Sequence, residues 1–339
     1  MLVPVLLFAL GLVLLIKGGD WFVDGASGIA SRFHVPDLLI GATVVSIGTT
    51  LPEVMVSANS ALSGHGEIAY GNAIGSIICN TALIAAITIA VKPSKVDRAA
   101  LKTPVIFFFI AASFYATIAY TMQEFKRITG VLLLAIFIVY MCLTVKDALK
   151  AIPSAKGSNG AVDNDKHGDV SNNKKKEEEP IQKLALLLVV GAILIAFGAD
   201  LLVDNGTLIA EGLGVPESVI ALTFVALGTS LPELVTAITS LIKGHGALSL
   251  GNICGANLFN LVLVSGISIL LGPFRIPSVK TVNLGGKEVI ASLVLDIPIM
   301  LTVMLILTVP ALIRGRLSRV QGFILLIIYF GFTAFQLLG

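Results

Sequence analysis

Charged residues are scarce in this chain of 339 residues: they make up 13% of it, whereas 56% of the residues are hydrophobic. Soluble domains carry roughly 25% charged residues, so the composition excludes that class and favours a bundle of membrane helices. The three cysteines are too few and too scattered for a disulfide framework or a CxxC metal site. Because the common enzyme motifs are also missing, we expect no enzyme activity, no cofactor and no nucleic-acid partner.

The N-terminal segment has no basic region and no small-residue cleavage site, so we expect a retained first helix rather than a signal peptide. Apolar runs of about 20 residues are long enough to span a lipid bilayer. Ten such runs predict an all-α integral membrane protein with two groups of five helices, at 2–30, 37–62, 67–91, 100–121, 128–146, 181–211, 216–242, 247–271, 288–312 and 318–338.

A polar stretch at 148–180 separates the two groups and is rich in Gly, Ser, Asn, Asp and Lys. It has almost nothing to bury, so we expect a disordered linker. The predicted units are therefore 1–147, the linker, and 181–339.

Lysine and arginine in the loops predict the orientation, because cytoplasmic loops carry the excess of positive charge. With the N-terminus outside, the inside loops hold 17 of these residues and the outside loops hold 5. We therefore expect both termini outside and a cytoplasmic linker.

The two halves align without a gap at an offset of 180 residues. GTTLPE at 48–53 corresponds to GTSLPE at 228–233, and 15 of 40 positions are identical between 41–80 and 221–260. Such a match indicates an internal duplication. Since each half has five helices, the second half enters the membrane from the opposite side, and inverted repeats of this kind are typical of secondary transporters.

Glu53 and Glu233 occupy equivalent positions at membrane depth, where a carboxylate is expensive and usually functional. Each glutamate follows a proline, which leaves a backbone carbonyl without its helical partner. Carbonyls, hydroxyls and carboxylates together make a hard-oxygen site for a cation. Two carboxylates would neutralise one Ca²⁺, so the pair predicts a cation site between the halves.

Helical spacing places further polar residues on the faces of these carboxylates. The stripes contain Ser46, Thr49, Thr50 and Ser57 in the first half and Thr229, Ser230 and Ala226 in the second. The next helix of each half adds Asn72, Ser76 and Asn80, or Asn252, Ala256 and Asn260, although amides in membrane helices also serve as hydrogen-bond links.

Five aspartates remain outside this set. Asp20 and Asp24 match Asp200 and Asp204 at i, i+4 spacing near helix ends. They fit satisfied interfacial charges, with an ion vestibule as the alternative. Asp296 has no counterpart and no predicted role.

These motifs resemble the cation/calcium antiporter superfamily, in particular its prokaryotic sodium/calcium exchanger branch. The resemblance rests on GTTLPE with GNAIGSIICN and on GTSLPEL with GNICGANLFN, which look like the alpha-repeats of that family, at about 37–91 and 216–271. It implies a sodium/calcium exchanger fold whose first and sixth helices slide across the rest. The implied Ca²⁺ and Na⁺ ligands are Glu53, Glu233, Thr49, Thr50, Thr229, Ser230, Ser46, Ala226, Ser76, Asn80 and Asn260.

Two positions depart from the archaeal pattern, which can have aspartate in place of Asn260 and serine in place of Ala256. Both changes weaken a sodium subsite, so the sequence leaves the coupling ion and the stoichiometry open.

The sequence thus predicts a Ca²⁺/Na⁺ antiporter that works by alternating access. We expect a multi-pass protein in the plasma membrane of a prokaryote, functional as a monomer in the lipid bilayer. A Ca²⁺/H⁺ or K⁺-coupled exchanger is the alternative, and a cation channel is a weaker one because channels usually build their pores from several subunits.

Overall fold

The computed structural model describes residues 2–151, 179–213, 228–278 and 280–338. Most of these residues lie in apolar helices, which we number in chain order. The helices are α1 (Leu2–Phe33), α2 (Asp37–Leu62), α3 (Gly66–Val91), α4 (Arg98–Met122), α5 (Arg127–Ala151), α6 (Ile181–Gly212), α7 (Leu231–Ile242), α8 (Gly246–Leu271), α9 (Ser292–Arg314) and α10 (Arg319–Leu338).

Nine of the described helices are long and apolar enough to cross a membrane, and α7 is a shorter apolar helix. The predicted seventh run at 216–242 lies partly outside the described residues. Each of the other predicted runs corresponds to a helix, which confirms the predicted fold class.

The helices α1 and α6 form the most extensive helix pair in the described part of the chain. Glycines let their backbones approach closely, because a Cβ on Gly18 would lie 2.8 Å from the backbone nitrogen of Ile195 and 2.9 Å from the carbonyl oxygen of Gly191. Gly11 meets Gly198 in the same way. Small residues at the contact are a common means of packing helices in membranes.

The helices α3 and α8 lie at the centre of the bundle, where 72% and 83% of their most apolar windows are buried. Each is preceded by a GHG turn, in which Gly64 and Gly244 adopt φ values of +81° and +86°. These left-handed conformations favour glycine. The repeated GHG motif thus brings both central helices into the bundle after the same tight turn.

The described residues contain four π-helical turns. They lie at Gly41–Val45 in α2, Asn80–Ala85 in α3, Asn260–Val264 in α8 and Ser292–Asp296 at the start of α9. Such turns are rare and often mark functional sites. The turn in α2 is supported from α5, since the Tyr140 hydroxyl donates to the carbonyl oxygen of Ala42 at 2.9 Å.

Short strands join the loops, a feature that the all-α prediction missed. β1 (Glu124–Phe125) pairs antiparallel with β2 (Phe274–Arg275), and β3 (Thr281–Leu284) forms a hairpin with β4 (Lys287–Ile290). The hairpin turn contains Gly285 and Gly286, both at positive φ, as two-residue hairpin turns require. The predicted helix start at 288 is therefore wrong, because that residue lies in β4 and α9 begins at Ser292.

The predicted boundary between the first unit and the linker, at 147, falls inside α5, which continues to Ala151. The prediction ended this unit where the polar residues begin, but a helix that emerges from an apolar bundle can continue into polar sequence. Residues 152–178 of the predicted disordered linker lie outside the described residues.

Candidate cation-binding site

The helix α2 carries the polar stripe predicted for the first half. Thr49, Thr50 and Glu53 are all buried, with at most 2% of each residue exposed. Ser46 and Ser57, at the two ends of the stripe, are fully buried as well. Pro52 lies within the helix, which remains helical on both sides of it. The expected break in this half is thus a missing hydrogen bond rather than an interruption of the helix.

The second half does contain an interruption. Gly228 is helical, Thr229 and Ser230 form a turn, and α7 begins at Leu231. Pro232 therefore occupies the first turn of a helix, where its missing N–H costs nothing. Ser230 is buried, and Glu233, also in the first turn of α7, is fully buried. The predicted carbonyl ligand Ala226 lies outside the described residues.

Glu53 and Glu233 are fully buried on α2 and α7, two helices that are in contact, and the two carboxylates interact electrostatically. In the part of the chain that the structure describes, neither carboxylate has an ion-pair partner. Two buried carboxylates of like charge are unfavourable together unless protons or cations compensate them. The geometry therefore suits a positively charged ligand between α2 and α7.

Neutral oxygens would have to complete the site, because no cluster of three or more His, Cys, Asp or Glu side chains occurs among the described residues. Several buried side chains on α2, α3, α7 and α8 and in the turn before α7 have oxygens with no hydrogen-bond partner among the described residues. They are Thr50, Glu53, Asn80, Ser230, Glu233 and Asn260. Such atoms are costly unless water or an ion satisfies them, and oxygen ligands of this kind suit Ca²⁺ or Na⁺.

The amide candidates lie in the two central helices. Asn80 and Asn260 are fully buried and each begins a π-helical turn, in α3 and α8 respectively. Ser76, one turn before Asn80, is buried with 4% exposure. The equivalent of Ser76 in the second half is Ala256, so this part of the site has a hydroxyl on one side only.

Two further asparagines, Asn72 and Asn252, connect the halves, although neither belongs to the ligand set that the family resemblance implies. The Thr49 hydroxyl donates to Oδ1 of Asn252, and the Thr229 hydroxyl donates to Oδ1 of Asn72, both at 3.2 Å. The Ser46 hydroxyl, which donates to the carbonyl oxygen of Gly41 at 2.7 Å, also lies 3.0 Å from the backbone oxygen of Asn252. The offset of 180 residues relates the two threonine contacts to each other. The occurrence of threonine and asparagine at equivalent positions of both halves was therefore the signal in the sequence that could have predicted these contacts.

The aspartates of α1 have a basic partner. Lys243, just after α7, is 2.8 Å from Oδ1 of Asp24 and donates to the backbone oxygen of Asp20 at 2.9 Å. This arrangement fits the satisfied interfacial charge expected for Asp20 and Asp24. Ser63 stands at the place equivalent to Lys243 in the other half.

Asp296 lies at the end of the π-helical turn of α9 and accepts a hydrogen bond from Gln336 at 3.0 Å. Both residues line a cavity of about 580 Å³ that also reaches Asn72, Ser76 and Thr229. The described lining of the cavity thus extends from the Asp296 carboxylate to residues of the candidate site.

Comparison with known proteins places these features in a family. Residues 3–146 and 183–338 match the family described as sodium/calcium exchanger protein. The uncharacterized membrane protein MJ0091 of Methanocaldococcus jannaschii is 32% identical over 328 residues, which are 95% of this chain and 94% of that protein. The sodium/calcium exchanger MaX1 of Methanosarcina acetivorans is 30% identical over 351 residues, covering 96% of each chain.

A solved structure of the sodium–calcium exchanger NCX_Mj superimposes with a TM-score of 0.78 at 31% identity, over 97% of both chains. The likeness covers both halves of the bundle and agrees with the resemblance predicted from the repeated motifs. Together with the apolar helices it identifies a multi-pass membrane protein. The chain belongs to the sodium/calcium exchanger protein family.

Proposed function

We propose that the chain is a secondary antiporter that exchanges Ca²⁺ for Na⁺, with Glu53 and Glu233 as its central ligands. One observation carries the proposal: equivalent positions of an inverted repeat bring two fully buried carboxylates into one interior. Two negative charges match one Ca²⁺ or two Na⁺. The names of MaX1 and NCX_Mj, both sodium/calcium exchangers, support the same pair of ions.

Neutral oxygens would complete the coordination around the two carboxylates. The hydroxyl and amide side chains are those with buried or unpartnered oxygens, and the remaining ligands are backbone carbonyls. The proposed set is Thr49, Thr50, Ser76, Asn80, Ser230 and Asn260, with the half-buried Thr229 and the carbonyls of Ser46 and Ala226. All of these are hard oxygen donors, which Ca²⁺ and Na⁺ prefer.

The coupling of the Ca²⁺ and Na⁺ fluxes follows from the negative charge of the two glutamates. A site that holds two uncompensated carboxylates in the membrane interior would cost about 3 kcal/mol or more per charge. The loaded protein can therefore change its accessibility more easily than the empty one. We propose that α1 and α6 move as one unit, because their glycine contacts join them closely along their length.

The proposed setting is the plasma membrane of a prokaryote, with both termini outside and the 148–180 linker in the cytoplasm. The distribution of lysine and arginine in the loops supports this orientation. Because both carboxylates belong to one chain, a monomer would hold a complete site.

Two alternatives differ in the driving ion or in the transport class. A proton- or K⁺-coupled Ca²⁺ exchanger would use the same carboxylates, and the departures at Asn260 and Ala256 favour it over a strict sodium dependence. A cation channel would conduct without a counter-ion, and a site within one chain argues against it.

The test is uptake of ⁴⁵Ca²⁺ into proteoliposomes that contain the purified full chain. Vesicles are loaded with Na⁺, with K⁺, or with an acidic buffer that lacks both ions. We expect uptake only with Na⁺ inside. Uptake with K⁺ or acid alone would mean that K⁺ or H⁺, rather than Na⁺, is the coupling ion. Equal uptake in every condition would indicate a channel.

A further inference from the structure

Among the described residues, two hydrogen bonds between side chains cross from one half of the chain to the other beside the carboxylates. Thr49 on α2 meets Asn252 on α8, and Thr229 before α7 meets Asn72 on α3, each with an oxygen–oxygen distance of 3.2 Å. Both contacts join a proposed ligand of one half to a central helix of the other half. Their equal lengths and related positions indicate one arrangement that is used twice.

The orientation of the Asn72 amide follows from its other neighbours. Its Nδ2 group lies 3.2 Å from the backbone carbonyl oxygen of Glu53 and 2.8 Å from the Ser57 hydroxyl. A carbonyl oxygen only accepts hydrogen bonds, so the amide nitrogen must face it. The amide oxygen then faces Thr229 and can only accept the hydroxyl proton.

This matters because a hydroxyl has one proton and two lone pairs. A hydroxyl that coordinates a cation must present a lone pair and direct its proton elsewhere. Thr49 is a neighbour of the Glu233 carboxylate, but its hydroxyl donates to Asn252, and both carboxylate oxygens have no hydrogen-bond partner among the described residues. A proton donated to that carboxylate would occupy an oxygen that a cation needs, whereas a proton donated to Asn252 leaves the carboxylate oxygens available.

We propose that Asn72 and Asn252 are positioning residues, each of which accepts the hydroxyl proton of the other half's threonine and so directs its lone pairs toward the transported cation. The inference rests on the proposed function. Neither asparagine needs to touch the ion. The amides act through Thr229 and Thr49, and they connect each half of the site to the opposite half.

The side-chain amides of Asn72 and Asn252 differ in the number of hydrogen bonds that hold them in place. Ser57, which accepts from Asn72, corresponds to Ala237 in the second half, and Nδ2 of Asn252 has no hydrogen-bond partner among the described residues. A substitution of Asn72 would therefore also disturb Ser57 and the backbone of Glu53. A substitution of Asn252 removes mainly the Thr49 contact, which makes Asn252 the cleaner position to test.

The experiment is a double-mutant cycle in Na⁺-loaded proteoliposomes that reads the half-saturating Ca²⁺ concentration. We expect Asn252→Leu and Thr49→Val each to raise it about threefold to tenfold, the worth of one buried hydrogen bond. The double variant should be no worse than the more severe single variant, because both changes remove the same oriented hydroxyl.

The matched control pairs Asn252→Leu with Thr229→Val, which is not its hydrogen-bond partner. The increases in half-saturating Ca²⁺ concentration caused by these two substitutions should multiply in the double variant. The mirror cycle of Asn72→Leu with Thr229→Val keeps the proposal testable if Asn252→Leu does not fold. Multiplied effects in both partner pairs, or half-saturation values unchanged from the wild type, would overturn the positioning role. If the wild-type protein itself shows no Na⁺-driven Ca²⁺ exchange, the proposed function is refuted instead.

Discussion

At the scale of single residues, the two halves are similar but not equal. The glutamates and threonines repeat, whereas Ser57 and Ser76 of the first half correspond to Ala237 and Ala256 of the second. The second half therefore offers fewer hydroxyls around its carboxylate. Asn260 is fully buried and its amide atoms have no hydrogen-bond partner in the described part of the chain. This position is where a change of one residue type would most directly alter the charge of the site.

Replacing Asn260 by aspartate should strengthen the binding of Na⁺. A carboxylate adds a charged ligand, and charged hydrogen-bond or ligand contacts are worth about 1.5–3 kcal/mol. We expect the half-saturating Na⁺ concentration for ⁴⁵Ca²⁺ efflux to fall about tenfold. The half-saturating Ca²⁺ concentration of the same variant, measured in parallel without Na⁺, serves as the reference. An unchanged Na⁺ dependence in a folded variant would show that Asn260 lies outside the sodium site.

At the scale of elements, the π-helical turns and the glycine contacts position the site. Asn80 and Asn260 each begin a π-helical turn in a central helix. A π-helical turn changes the angular position of the residues beyond it by adding one residue to a turn. The pair of α1 and α6 lies beside this centre and depends on backbone approach at glycines.

One methyl group at that contact should therefore be costly. A Cβ at Gly18 would lie under 3 Å from backbone atoms of α6, which cannot move aside as a side chain can. We expect Gly18→Ala to destabilise the protein by about 1–3 kcal/mol, the usual cost of overpacking. The measurement is the midpoint of thermal unfolding in detergent.

Gly331→Ala on α10 is the matched control, since no described atom lies within 4 Å of the added methyl group. Its midpoint should stay equal or rise slightly, because alanine is the better helix former. Equal midpoints for the two variants would mean that α1 and α6 are not held together by the close contact at Gly18.

At the scale of the whole molecule, hydrophobic runs and the 180-residue offset were enough to predict the helices and the inverted repeat. The exchanger fold was implied by the resemblance of the repeated motifs to a known family. The repeat also pointed to Glu53 and Glu233, because an identical motif at membrane depth is a strong local signal. What it could not predict depends on tertiary contact. The pairing of Lys243 with Asp24 and that of Asn72 with Thr229 join residues more than 150 positions apart.

Other features were present in the sequence but were hidden by a stronger pattern. The Gly285-Gly286 pair between two short β-prone segments is a hairpin signal, yet the apolar run that follows it led to a helix start at 288. The π-helical turns change the helical period for only one turn, and amphipathic periodicity over longer windows does not register this change.

The central claim is that Glu53 and Glu233 together bind the transported ion. Its most direct test is Na⁺-driven ⁴⁵Ca²⁺ uptake by Glu53→Gln and Glu233→Gln, with Glu288→Gln on the exposed strand β4 as the control. Removing one of two ligand charges should cost about 3 kcal/mol, so uptake should fall about a hundredfold in both site variants and remain normal in the control. Wild-type uptake by a folded Glu233→Gln protein would contradict the account.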